Sequence, residues 1–245
     1  MITSEQPTTT TWPWIVMAIA GLVTFVAAMT VSPDAIQGQV SRIMYIHVPS
    51  AWLAYLSFGV TMLASGTYLW KKNLLWDRIA HASAEIGVLF TVMTLGLGMI
   101  WAKPIWGVWW TWDARLTLTA IMLFVYIGYL ALRRTTDDVH ARARRASILG
   151  ILAIVQVPLV HFSVVWWRTL HQPPTLIDPE GIEMDTSMLV TLLIAVAMFT
   201  VMYVAMMAKR IELAKLEDSL LEADQSFDGS VAGGAVTAPT LDGGA

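Results

Sequence analysis

The stretch 101-WAKPIWGVWWTWDARLT-117 places Trp101, Trp106, Trp109, Trp110 and Trp112 within twelve positions, between two apolar segments each long enough to cross a bilayer. Trp carries a large ring and an indole N–H that seeks an acceptor, so such density does not suit a lipid-facing helix. With Asp113 and Arg115 alongside, the cluster reads as a platform for something flat and apolar with polar edges.

Outward from this cluster the chain stays apolar. Of its 245 residues, 56% are hydrophobic and 13% charged, where soluble domains carry about 25% charged residues. Six segments, at 13–31, 48–70, 79–100, 116–132, 146–166 and 187–208, combine length with near-absence of charge, against the roughly 20 residues needed to span the hydrocarbon. Lipid offers the backbone no hydrogen-bond partners, so each span is expected to be helical. The expected fold is an all-α integral membrane protein, a bundle of six transmembrane helices with a Trp-rich outer loop.

Basic residues in short loops favour the cytoplasmic side. Lys71, Lys72 and Arg78 lie between spans two and three, Arg133, Arg134, Arg142, Arg144 and Arg145 between four and five, and Lys209, Arg210 and Lys215 after six. Arg42, Lys103, Arg115 and Arg168 fall on the opposite side. Both termini are therefore expected in the cytoplasm, with three loops outside. The first apolar stretch lacks a basic flank and a small-residue cleavage site, so it is expected to be a retained span.

Residues 1–210 are read as one six-span membrane domain, and 211–245 as an acidic, Gly/Ala-rich cytoplasmic tail that is partly disordered from about Ser226. The tail holds Glu212, Glu217, Asp218, Glu222, Asp224, Asp228 and Asp242 against Lys215. Zero cysteines exclude disulfides, thiolate ligands and thioether attachment of a cofactor in this chain.

Of the five histidines, His81 and His140 fall on the cytoplasmic side and read as interfacial or solvated. His47, in RIMYIHVPSAW, lies just outside or at the start of span two, and His171 follows span five in WWRTLHQPP. These two share the outer face. Neutral imidazole is an axial ligand of haem iron, tuned through its second nitrogen, and two imidazoles beside an aromatic shelf would sandwich a planar macrocycle. The bland alternative for each is a polar residue near headgroups. His161 would sit about 15 Å deeper than His171 on a continuous helix and is assigned to packing.

An aromatic belt explains Trp12, Trp14, Trp52, Trp70 and Trp76, but anchoring does not need five rings in one loop. If 106–113 is a helical turn, Trp106, Trp109, Trp110 and Asp113 share one face and Trp112 points elsewhere. If it is an irregular loop around Gly107, that phasing has no meaning. Asp113 also reads as the N-cap of span four. Anionic edges of a ligand would need two of the four outer cations, and Arg42 and Arg115 stand nearest the key segments.

WGVWWTWDARLT resembles the WWD signature of the haem-handling family of cytochrome c maturation. The flanking YIHVPSAW and HFSVVWWRTLHQ are similar to the two histidine segments of its protein C branch (CcmC). The likeness spans residues 34–208. It implies that His47 and His171 are the iron ligands, that Trp101, Trp106, Trp110, Trp112 and Asp113 form the aromatic signature, and that Arg42 and Arg115 are its basic positions. It implies a transient, non-covalent haem b cargo held at the periplasmic surface of a bacterial inner membrane. The implied partners are an ABC-type haem-exporter ATPase with its membrane subunits, a small single-span accessory subunit and a membrane-anchored periplasmic haem chaperone, with no nucleic acid. Whether such a protein only positions haem or also assists its covalent attachment to the chaperone stays open, and no residue is assigned a catalytic role. The rival reading is a b-type membrane cytochrome carrying electrons, which normally holds its His pairs inside the bundle.

Overall fold

The computed structural model describes residues 10–136, 138–167, 169–171 and 184–234. Its helices are α1 (Trp12–Thr30), α2 (Met44–Lys71), α3 (Leu74–Trp106), α4 (Ala114–Leu132), α5 (Val139–Ala153), α6 (Gln156–Trp166) and α7 (Thr186–Gly234), with a 3-10 turn (Gln39–Ile43) leading into α2. Six lengths of helix are long and apolar enough to cross a membrane, α5 and α6 together supplying one. The chain is an all-α bundle of six membrane spans.

The interruption of the fifth span at Ile154–Val155 follows from Pro158. Its ring has no N–H and clashes with the carbonyl four residues back, so it sits in the first turn of a new helix instead. Two other boundaries differ from the apolar segments. Helix α2 begins at Met44, upstream of Pro49, because Met44 and Tyr45 are apolar and buried and pack with α1 and α7. His47 is therefore a helical residue and not part of a loop. Helix α3 runs through Pro104 to Trp106, so Trp101 and Trp106 are helical too. Helix α7 continues without a break past 210 to Gly234, and residues 235–245, Asp242 among them, lie outside the described residues.

Helix α2 is central, packing on α3, α5 and α7, while α1 lies mainly on α7 and α4 on α3, α5 and α6. Lipid tails are as apolar as leucine, so helices associate through close packing and buried polar contacts. Both are present. Ser83 Oγ donates to the Ser57 carbonyl at 2.7 Å and accepts from Tyr203 OH at 2.7 Å, tying α3 to α2 and α7. Trp52 donates Nε1 to Thr200 Oγ1 at 3.0 Å, so this ring links α2 to α7 as well as lying near the lipid.

Gly87 on α3 faces Phe58 of α2, which is fully buried and stacks on Tyr126 of α4 with ring centroids 3.5 Å apart. A Cβ at Gly87 would stand 2.5 Å from Phe58 Cε1, and a stacked ring cannot retreat. Gly87→Ala is expected to destabilise the bundle by about 1–3 kcal/mol. Thermal unfolding in detergent checks this, and an unchanged midpoint would mean that the helices have room to part.

The end of the bundle away from the Trp cluster is held by charge. Arg133, just past α4, grips Asp77 in the first turn of α3 through two bonds of 2.6 Å, and both side chains are buried. The basic turn at 72–78 thus contains an interior ion pair that its composition conceals. Glu85 is paired with Arg210 at 2.5 and 3.1 Å and lies 3.4 Å from His81. Glu85 thereby ties α3 to α7.

Candidate functional site

At the opposite end, the C-termini of α1 and α3, the N-termini of α2 and α4 and the segment after α6 meet. Asp34 Oδ1 accepts the N–H groups of Ile36 and Gln37, and Gly38 takes a left-handed φ of 58° to turn the chain into α2. This compact turn brings Gln37 Oε1 to the indole N–H of Trp101 at 2.9 Å. Arg42 donates Nη1 to the Ala28 carbonyl and Nε to Gln39 Oε1, closing the C-terminus of α1.

Helix α3 stops at Gly107, whose left-handed φ of 76° suits a residue without Cβ. Its N–H bonds the Lys103 carbonyl, and Lys103 Nζ returns to the Gly107 carbonyl at 2.9 Å. Residues 107–113 are irregular, so the one-face phasing of Trp106, Trp109, Trp110 and Asp113 does not arise. Trp110 and Trp112 pack edge to face at 5.5 Å, with Trp112 83% exposed and Trp109 also exposed. The Trp109 and Trp112 rings face outward, and Trp110 is half-buried behind them.

His47 and His171 line one cavity of about 80 Å³, together with Tyr55, Thr91, Thr94 and Arg115. Trp101 packs edge to face against His47, centroids 5.6 Å apart, and Trp106 does the same against His171 at 4.9 Å. His47 fits because Gly98 has no side chain: a Cβ there would lie 3.1 Å from His47 Cε1. Among the described residues His47 Nδ1 is buried without a hydrogen-bond partner, as are Trp110 Nε1 and Arg115 Nε.

Asp113 does two jobs. One carboxylate oxygen caps α4 by accepting the Leu116 N–H at 2.9 Å, and the other lies 3.1 Å from His171 Nδ1. Burial lowers the His171 pKa below its ordinary value. Asp113 opposes that shift through charge and hydrogen bond, and Arg115 adds to it. The ring is thus biased toward neutral, with Nδ1–H donating to Asp113 and the Nε2 lone pair left over. Arg115 donates Nη2 to the His161 carbonyl at 2.9 Å, and the His161 ring packs edge to face on Tyr55 and Phe162.

The structure therefore brings His47, His171, Arg115, Trp101, Trp106 and Asp113 together. Arg42 is turned to α1, and Arg168 lies outside the described residues. The cavity walls were legible as faces: Thr91, Thr94, Leu95 and Gly98 recur at i, i+3, i+4 and i+7. Within an apolar span that stripe is masked by its hydrophobic neighbours.

The family model described as heme exporter protein C matches residues 3–224. Heme exporter protein C of Bradyrhizobium diazoefficiens is 40% identical over 197 residues, covering 79% of this chain and 74% of its own. A putative cytochrome c biosynthesis ccmC-like mitochondrial protein of Marchantia polymorpha is 37% identical over 186 residues, covering 76% and 77%. Heme exporter protein C of Escherichia coli K12 is 38% identical over 167 residues, covering 66% and 68%. A match over nearly the whole membrane bundle, with the histidine segments and the tryptophan signature inside it, means that the chain belongs to the CcmC family, heme exporter protein C.

Proposed function

We propose that this chain holds haem at the periplasmic surface of a bacterial inner membrane and hands it on for c-type cytochrome biogenesis, as part of an ABC-type exporter complex. Relatives named for heme export and cytochrome c biosynthesis support the class of function. One observation carries the site: His47 from α2 and His171 from beyond α6 line the same cavity. Bis-imidazole ligation saturates iron and suppresses oxygen chemistry while the cargo waits.

The donor set fits haem. Nδ1 of His171 is committed to Asp113, which leaves Nε2 for a metal, and His47 is free of hydrogen-bond partners at Nδ1 among the described residues. Arg115, with Nε unpartnered there, is placed for one propionate. Arg42, bound to the Ala28 carbonyl and to Gln39, is turned to α1 and lies outside the cavity lining. Exposed Trp109 and Trp112 and the half-buried Trp106 and Trp110 supply the aromatic ledge.

Small-molecule sites run to about 300–1,000 Å³, so a cavity of about 80 Å³ must widen to admit a porphyrin. His171 lies outside the helices, held by Asp113 and Trp106, whereas His47 is fixed in α2 against Gly98. A ligand held by side-chain contacts outside the helices suits a cargo that must be surrendered to a membrane-anchored chaperone, with a small single-span subunit alongside.

The test is a haem titration of the detergent-purified chain, expected to saturate at one haem with a six-coordinate low-spin spectrum. A second independent haem reducible by quinol would favour an electron carrier and end this reading. Asp113→Asn keeps an acceptor for the α4 cap but loses the carboxylate behind His171. Second-shell losses of this kind weaken metal binding about 10–100-fold, so haem affinity should fall by that factor at nearly constant thermal stability. A wild-type affinity would mean that Asp113 serves α4 alone.

A further inference from the structure

At the end of the bundle opposite the two histidines, the C-terminus of α2 and the N-terminus of α5 border an open cavity of about 520 Å³, lined by Tyr68, Lys72, His140, Ala141 and Arg144. Among the described residues its lining is cationic and contains no carboxylate. Asp138, the acid next in sequence to these residues on α5, accepts the N–H groups of His140 and Ala141 at 2.9 and 3.0 Å and so faces its own helix. Among the described residues neither Lys72 nor Arg144 makes an ion pair.

Lys72 has a left-handed φ of 53°, the one positive φ outside glycine among the described residues, and that conformation costs roughly 1–2 kcal/mol for a residue with Cβ. Its backbone N–H closes α2 on the Tyr68 carbonyl at 2.8 Å, and its Nζ stands 5.8 Å from the centroid of the Tyr68 ring. Tyr68 is itself buried, and its hydroxyl lies 3.2 Å from His140 Nδ1. The same hydroxyl donates to the His140 carbonyl at 3.3 Å, so Tyr68 ties the start of α5 to α2. Arg144 follows His140 by four residues and so shares its face of α5.

We propose that this cavity binds a phosphate oxyanion, and that the headgroup of an anionic phospholipid supplies it. An ammonium and a guanidinium around one hollow match phosphate oxygens in charge and geometry. The depth is that of headgroups. Trp70 is 82% exposed, and Lys71 Nζ lies 5.6 Å from its ring centroid and 5.8 Å from that of Trp76, the aromatic and basic pattern of a membrane–water interface. Basic hollows between membrane helices at that level take anionic headgroups. Neither Lys72 nor Arg144 touches the haem site, so this binding is independent of it.

The experiment is native mass spectrometry of the full chain released from neutral detergent, after addition of phosphatidylglycerol, phosphatidylcholine or inorganic phosphate. One phosphatidylglycerol should be retained about tenfold better than phosphatidylcholine, and Lys72→Gln/Arg144→Gln should remove that preference. Arg134→Gln/Arg145→Gln removes two charges from the same end outside the cavity and should preserve it. Displacement of phosphatidylglycerol by millimolar inorganic phosphate would support the oxyanion site and assign it to free phosphate. Equal retention of both lipids, or equal losses in the two double variants, overturns the proposal. Should Lys72→Gln/Arg144→Gln fold poorly, Arg144→Gln alone carries the same comparison.

Discussion

Replacing His47 and His171 together by alanine is expected to leave a folded membrane bundle that retains no six-coordinate haem. The argument rests on what each imidazole does without a ligand. His47 Nδ1 satisfies no partner among the described residues, so its removal orphans nothing there. His171 leaves one oxygen of Asp113 unpaired, but the other still caps α4 through Leu116. Both rings are half-buried, and substitutions outside the fully buried core typically cost on the order of 1 kcal/mol. Coordination is another matter. Disturbing an outer-shell partner costs about 10–100-fold in metal affinity, and loss of both inner ligands should exceed the upper figure. Each single variant should shift the spectrum toward five-coordinate, high-spin iron, and added imidazole should restore the low-spin bands by refilling the gap. That rescue separates a ligand from a residue that merely supports the fold. A double variant that still shows a full bis-histidine spectrum would remove both rings from the iron.

The parts of this site that could be read from sequence are those whose chemistry is rare. Two histidines near one end of an apolar bundle, with five indoles between them, stand out because membrane segments have little other use for such side chains. Their mounting could not be read. Tyr45 and Met44 look like the tail of a polar-flanked loop until packing on α1 and α7 draws them into helix α2, which carries His47 with them. Pro104 looks like a stop, yet α3 runs past it to a glycine that can adopt the left-handed turn. Arg42 stands close to His47 in sequence, which suggests a shared site with Arg115, but the turn after α1 aims it at the Ala28 carbonyl. Sequence proximity cannot report direction. Gly98 illustrates the converse: it carries no chemistry of its own, and its role exists only as room for an imidazole.

The same blindness hid Asp77, a single acid in a turn rich in lysine and arginine, which is 3% exposed against an Arg133 that is 7% exposed. Arg133→Met is expected to be the most destabilising substitution in the half of the bundle away from the Trp cluster. The methionine fills the space over the Tyr129 ring, where the guanidinium carbon now lies 6.0 Å from the centroid, so volume is not what is lost. What is lost is the counter-charge to a carboxylate already withdrawn from water. Breaking a buried pair from one side costs about 3–5 kcal/mol, whereas exchanging both members for apolar residues of similar size is often neutral. The sign of the comparison is therefore diagnostic. Arg133→Met should lower the unfolding midpoint in detergent sharply, and Asp77→Leu added to it should recover most of the loss. Asp77→Asn alone should fall between, because an amide can still accept one of the two 2.6 Å bonds. The folded fraction of every variant should keep a wild-type haem spectrum, since the pair lies at the end of the bundle away from His47 and His171. A second change that adds to the damage would show that the two ends of this bridge are stabilised separately, and that the charge pairing does not hold α3 to α4.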